Sequence, residues 1–183
     1  MSNKNVVINF VGAPSSGKSL MSALLYSELK INHLKAEYVQ EYAKKLIYEG
    51  RFEELNNQYN VSMAQYNTLK AVSNNVDYCI TDSPILLGIY YNRVYDTNIC
   101  NIEKVENIFV EKMNEFKNIY IYLKRNSEYP FEKQGRVHNE DQSSIIEQDL
   151  EKLLIEFKLP YKKFISDKAS LQDIIDYINS III

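Results

Sequence analysis

The chain has no tryptophan, two cysteines, two histidines, five glycines and four prolines in 183 residues. Cys79 and Cys100 fit no metal-ligand spacing, and Cys79 lies in an apolar run, where a thiol reads as an inert core group. His33 and His138 stand apart, so neither a Ser-His-Asp constellation nor a metal cluster is apparent. Positive charge is not in excess: the net charge is −3. No overall field would hold nucleic acid non-specifically, although local basic patches stay open. No apolar run approaches membrane-spanning length, which argues against a membrane partner. The start is polar and the first apolar stretch is too short for a signal peptide, so the expected location is the cytoplasm. Internal repeats, linkers and low-complexity segments are lacking too, and the expectation is one domain over residues 1–183.

What is present is ordinary for a globular chain: 45% hydrophobic and 25% charged residues. Tyrosine is abundant, at 15 residues. Its rings can stack on bases, but half-buried packing is the plainer use. The informative stretch is Val6–Ser19, VVINFVGAPSSGKS. A short apolar run leads into Gly12, four residues, then Gly17-Lys18-Ser19, which is the P-loop spacing between a strand and a helix. The two glycines let backbone N–H groups approach phosphate oxygens, and the following helix N-terminus favours the anion. Lys18 supplies charge for the β- and γ-phosphates, and the Ser19 hydroxyl suits Mg2+. Gly12, Ala13, Pro14, Ser15, Ser16, Gly17, Lys18, Ser19 and Leu20 are therefore the candidate nucleotide-binding set.

Along the rest of the chain, strands alternate with helices. Val6–Val11, Lys35–Val39, Val76–Thr81, Asn118–Leu123 and Tyr161–Ile165 read as strands. Helical spacing follows each, from Gly17 or Lys18 to about Lys30, over Gln40–Glu49, Val61–Val72, Ile85–Tyr95 and Ile102–Phe116, and from Leu171 to Ile182 behind Ser170. Arg51–Asn60 is polar and loop-like, with room for local helix. Ser143 or Ser144 is placed to cap a helix running to about Lys158, with Glu147 as its box partner. The alternation predicts an α/β fold: a parallel five-stranded sheet with helices on both faces, joined by right-handed crossovers. Residues 125–142 are polar, contain Pro130 and Gly135 and lack a hydrophobic period, as in a short lid.

Several residues outside the loop can carry chemistry. Asp82 ends an apolar strand, as a Walker-B acid does, and is the candidate partner of Ser19 at a metal. It suits a helix cap before Ser83-Pro84 as well. Glu41 follows the second strand and faces the same cleft, either to take a proton from a substrate hydroxyl or as a solvated first-turn glutamate. Glu37 lies within the strand and is the weaker candidate. Tyr38 and Tyr42 could flank a substrate ring, but packing suits them better. Arg136 is the preferred lid arginine to neutralise charge during phosphoryl transfer, ahead of Arg125 at the end of the fourth strand and Lys133 in the lid. Gln65 has an amide for a base edge but reads more simply as an exposed helix residue. Arg93 is a weak candidate for the cleft.

Other P-loop classes fit poorly. The chain lacks the Asn-Lys-x-Asp of GTPases, the glycine after Asp82 that would sense a γ-phosphate, and the Leu-Ser-Gly-Gly of transporters. A ring ATPase would want a larger chain. GAPSSGKS (12–19), EYVQEYAKKL (37–46), the helix around Gln65, TDSP (81–84), YLKR (122–125), QGR (134–136) and LPYKKF (159–164) together resemble the ribosylnicotinamide-kinase-like P-loop family. That family includes the kinase domain of bifunctional nicotinamide-nucleotide adenylyltransferases and many small phage-encoded P-loop proteins. The resemblance implies a three-layer nucleoside/nucleotide-kinase fold. It also implies transfer of the ATP γ-phosphoryl, with Mg2+, to a nucleoside-, nucleotide- or nicotinamide-riboside-like small molecule. By motif match, Lys18, Asp82, Glu41 and Arg136 would be catalytic, Ser19 and Asp82 would hold the metal, and Arg125 would join the nucleotide-binding set. These residues would supply the kinase half alone, without an adenylyltransferase domain. Two other readings stay open: a kinase of nucleic acid, not favoured by the charge, and a nucleotide-binding regulatory ATPase. A homo-oligomer is compatible with all three.

Overall fold

The computed structural model describes residues 5–131 and 139–182. Five strands are present: β1 Val6–Val11, β2 Ala36–Val39, β3 Tyr78–Thr81, β4 Lys117–Lys124 and β5 Tyr161–Ile165. They form one sheet in the order β2-β3-β1-β4-β5. Every pair is parallel. A parallel pair cannot be closed by a hairpin, so each connection crosses a sheet face, and helices fill the crossings.

Strand β1 is central, and all six of its residues are buried. That is why its sequence is a near-continuous apolar run rather than an alternation. The exception is Asn9, which the apolar reading of this strand passes over. Its amide donates to Val7 O and to Asn118 Oδ1, both at 2.9 Å. Burial is tolerated because the group is hydrogen-bonded to its own and the neighbouring strand.

Alternate β1 residues face opposite layers. Val6, Ile8 and Phe10 pack with Met21 and Leu25 of α1 (Lys18–Ile31) and with Ile174 and Ile178 of α7 (Ser170–Ile182). Each such side chain taken out of water contributes about 1.5–3 kcal/mol. Val7 and Val11 face the other layer, built from α3 (Gln58–Ser73), α4 (Ile85–Val94), α5 (Ile102–Met113) and α6 (Glu140–Glu156). A smaller cluster of Leu46, Leu55 and Val61 joins α2 (Tyr42–Tyr48) and a 3-10 helix, Phe52–Asn56, to α3. Gly50, at φ 71°, ends the chain segment after α2 as expected. Among the described residues no helix is long and apolar enough to cross a membrane.

Several boundaries differ from the sequence reading, three of them at helix starts near the site, and caps explain two of these three. Helix α3 starts at Gln58 rather than Val61, because the Asn57 side chain accepts from Asn60 N at 2.9 Å. Helix α6 starts at Glu140, not at Ser143 or Ser144. Asn139 is its cap, and Gln142, not Glu147, closes the capping box. The stretch 125–142 therefore gives its last three residues to a helix. Helix α2 begins at Tyr42 because Glu41 is still extended, at φ −63° and ψ 119°.

Candidate active site

The loop between β1 and α1 is shaped by backbone that few side chains tolerate. Gly17 has φ 82° and Ser15 has φ 64°. A Cβ on Gly17 would lie 1.8 Å from Ser166 Oγ, and one on Gly12 would lie 2.7 Å from Leu123 O. The two glycines thus allow the loop to press against the ends of β4 and β5, besides turning tightly. Lys18 Nζ folds over the loop and donates to Gly12 O at 2.7 Å and Ala13 O at 3.0 Å. Ser143 Oγ of α6 donates to Pro14 O at 2.6 Å. So Ser143, expected as a helix cap, anchors the loop instead. Leu20, the last of the candidate nucleotide-binding set, is 50% exposed at the start of α1.

Asp82 stands directly after β3 and is 2% exposed. Its Oδ2 accepts from Ser19 Oγ at 2.5 Å and from the Tyr38 hydroxyl at 2.7 Å. Its Oδ1 is buried and has no hydrogen-bond partner. Burial, reinforced by the Asp82 charge and hydrogen bond, pushes the Tyr38 phenol well above its ordinary pKa, so it is a donor at all working pH values. An acidic oxygen left unpaired in a buried site is costly unless something else fills the valence. The Ser19 hydroxyl gives its proton to Asp82 and keeps lone pairs for a cation. Hard oxygen donors of this kind suit Mg2+, which takes few protein ligands and completes its shell with phosphate oxygens and water. Among the described residues no group of three His, Cys, Asp or Glu side chains is arranged for a metal.

A cavity of about 100 Å³ opens beside the loop. Lys18 and Pro14 line its loop side, and Glu41 and Ser83 lie along it. Its far wall is apolar, from Ile47, Leu55, Val61 and Leu87, with Tyr91 and Tyr95 and the polar groups of Gln58 and Ser62. Glu41 occupies the cap position of α2 without capping it. Its charge adds a small part to the upward push on the Tyr38 phenol, after burial and Asp82. Gly88 brings α4 against α3: a Cβ there would lie 2.2 Å from Ser62 Oγ.

Of the other sequence candidates, Gln65 and Tyr42 also line the cavity. Gln65 is 5% exposed, not a surface residue. It accepts from Tyr42 N at 2.9 Å and donates to Thr81 Oγ1 at 3.3 Å, bracing the start of α2 against the end of β3. Arg93 is held by both Glu106 and Glu156, away from the loop. Arg125 pairs with Glu140, donates to Tyr129 O at 3.2 Å and lies over the Phe131 ring. Glu37 lies half-exposed on β2, 3.8 Å from Lys30. His33 is exposed in the turn after α1, at φ 58°. Burial pushes the Cys79 thiol up to about 12, as befits a core group. Arg136, Lys133 and His138 lie outside the described residues. Sequence reasoning missed Ser143 and Ser166 as supports of the loop and Tyr38 as the partner of Asp82. For Tyr38 a signal existed: it precedes Glu41 by three residues on a strand whose end reaches the loop.

A family model described as an AAA domain matches residues 7–173. The chain belongs to this AAA domain family. Solved structures agree on the fold. The NadR protein in complex with NAD and AMP-PNP superposes with a TM-score of 0.67 at 17% identity, over 97% of this chain and 50% of that one. Deoxyadenosine kinase from M. mycoides, with products dCMP and a flexible dCDP, gives 0.58 at 18% identity, over 96% of this chain and 100% of that one. YorR from Bacillus subtilis, in complex with phosphorylated GDP, gives 0.56 at 14% identity, over 97% and 95%. The AAA domain thus spans about half of the NadR chain and the full length of the M. mycoides enzyme. A search of curated proteins returned no match. The three-layer P-loop fold of nucleoside kinases is the architecture the resemblance implied, and NadR is among the structures that share it.

Proposed function

We propose that this AAA domain transfers the γ-phosphoryl group of ATP to a hydroxyl of an uncharged, nucleoside-like small molecule. The observation that carries the reading is one cavity lined both by Lys18 of the phosphate-binding loop and by Glu41. A donor phosphate and an acceptor hydroxyl can therefore meet there. The AMP-PNP held by the NadR protein supports ATP as donor. The NR held by another NadR structure and the dCMP product in the M. mycoides kinase support a nucleoside as acceptor.

The charges favour a neutral acceptor over a nucleotide. Among the described residues, Lys18 is the one basic residue lining the cavity, and it belongs to the donor loop. Arg51, Arg93 and Arg125 are each engaged by carboxylates and line no part of it. Glu41 would repel a phosphate and attract a hydroxyl. In this reading, Lys18 and the loop N–H groups orient the donor phosphates. Glu41 accepts the acceptor's proton as the new P–O bond forms and ADP leaves. Ser19 and Asp82 would hold Mg2+, which neutralises phosphate charge when bound. Most of the rate comes from positioning and charge neutralisation.

The test is incubation with labelled ATP and a panel of nucleosides, nucleoside monophosphates and oligonucleotides. Label is expected on a nucleoside and not on its monophosphate. Label on an oligonucleotide would replace this reading with a nucleic-acid kinase. ATP consumption that no acceptor accelerates would replace it with a regulatory ATPase.

A further inference from the structure

Tyr38 has no part in the reaction proposed above. It sits on β2, the edge strand beside β3, and its ring reaches across the strand ends to Asp82. Two hydroxyls, those of Ser19 and Tyr38, converge on the same carboxylate oxygen, Oδ2. The other oxygen, Oδ1, is buried and receives nothing. This asymmetry has a consequence. The carboxylate torsion of an aspartate is broad, so the plane of its two equivalent oxygens can swing unless fixed donors hold it. One hydroxyl from Ser19 follows α1, the element that the nucleotide phosphates themselves would engage. The other comes from an independent element and holds Oδ2 whatever happens at the loop.

We infer that Tyr38 is a positioning residue for the divalent cation: its hydroxyl holds Asp82 Oδ2 from a second element and so fixes the orientation of the carboxylate beside Ser19. This rests on the donor reading proposed above, in which Ser19 and Asp82 hold Mg2+. The phenol does not touch the cation or the phosphates. It acts through Asp82, in the way that outer-shell hydrogen bonds orient metal ligands and commonly alter metal affinity by about 10–100-fold. Without it, Asp82 is free to turn and the Ser19 hydroxyl alone must keep it in register. Phenylalanine keeps the ring and its packing and removes only the donor.

The experiment is calorimetric titration of AMP-PNP into wild-type and Tyr38→Phe protein, each with Mg2+ and with EDTA, alongside thermal melting of both. The expected result is a loss of about tenfold in the Mg2+-dependent part of the affinity, with metal-free AMP-PNP binding unchanged. Manganese binding in the presence of AMP-PNP, followed by electron paramagnetic resonance, should weaken by the same factor. Equal affinity of the variant and the wild type for Mg-AMP-PNP would overturn the inference. So would a loss that is the same with and without metal, because that marks a structural role only. If the wild-type protein itself gains no affinity for AMP-PNP from Mg2+, the donor reading fails, and this inference fails with it. The wild-type titration separates the two failures.

Discussion

Around Lys18, several groups are held by the loop itself or by other elements. The lysine is tied to two loop carbonyls, Pro14 to Ser143 of α6, Ser19 to Asp82, and Gly17 is pressed against Ser166. Across the cavity, the wall formed by α2, α3 and α4 is mostly apolar, and its shape depends on side-chain packing and on one close helix contact at Gly88. In the proposed reading, the donor side is built from backbone and short hydrogen bonds, and the acceptor side from side-chain volume. The contrast teaches how a site can keep one chemistry and vary its substrate. Phosphate geometry is the same in every nucleotide, so a rigid cradle suits it. Acceptors differ in shape, and a packed apolar wall changes shape with a few substitutions.

Mutation of each side should break different measurements. Lys18→Ala carries the largest expected effect. It should reduce phosphoryl transfer by at least about a hundredfold, with a melting temperature close to that of the wild type, as judged by labelled-ATP assay and calorimetry. Transfer that persists at wild-type rate would dissolve the distinction between the two sides. Gly88→Ala comes next. The added methyl would lie 2.2 Å from Ser62 Oγ and 2.9 Å from Ser62 Cβ, so α3 and α4 must part. The expected cost is about 1–3 kcal/mol in stability. The acceptor KM should rise while AMP-PNP affinity stays unchanged. A parallel loss of AMP-PNP affinity would show that the two sides are mechanically one.

The smallest effect is expected far from both. Glu115, between α5 and β4, accepts from Lys112, Tyr66 and Lys70. These hydrogen bonds, Lys112 first, hold its carboxyl down at about 2 from an ordinary 4.5. A carboxyl whose folded pKa is depressed stabilises the fold above its unfolded pKa and loses that contribution as pH falls through the folded value. Glu115→Gln should therefore lower the thermal midpoint slightly at neutral pH. The gap to wild type should shrink between pH 4.5 and about 2. Added salt should shrink it too, because the partners are near the surface. Neither nucleotide affinity nor acceptor KM should respond.

The legible part of the fold and site follows the same division. VVINFV announced a buried strand because both its faces are covered, and the glycine spacing after it announced the loop because only that backbone turns so tightly. Asp82 was legible as a strand-end acid. Gln65 was not legible as a brace: its helical position gave no sign that α2 would start beside it and lend Tyr42 N as a partner. Asn139 was passed over as a cap because Ser143 and Ser144 offered the same chemistry a few residues on, and only the packing of Ser143 onto Pro14 distinguishes them.

What the sequence by itself determined, then, is local: the β1-loop-α1 unit, the alternation that makes the sheet parallel, and the acids at strand ends. Short-range backbone sterics and hydrophobic periodicity suffice for each. Tertiary structure alone decided which side chains from distant elements share an oxygen or a wall. Tyr38 reaches Asp82 across 44 residues of chain, and Ser143 reaches Pro14 across 129. Such pairs are set by the strand order β2-β3-β1-β4-β5 and by how the helices settle on the sheet, and neither leaves a periodic trace in the chain.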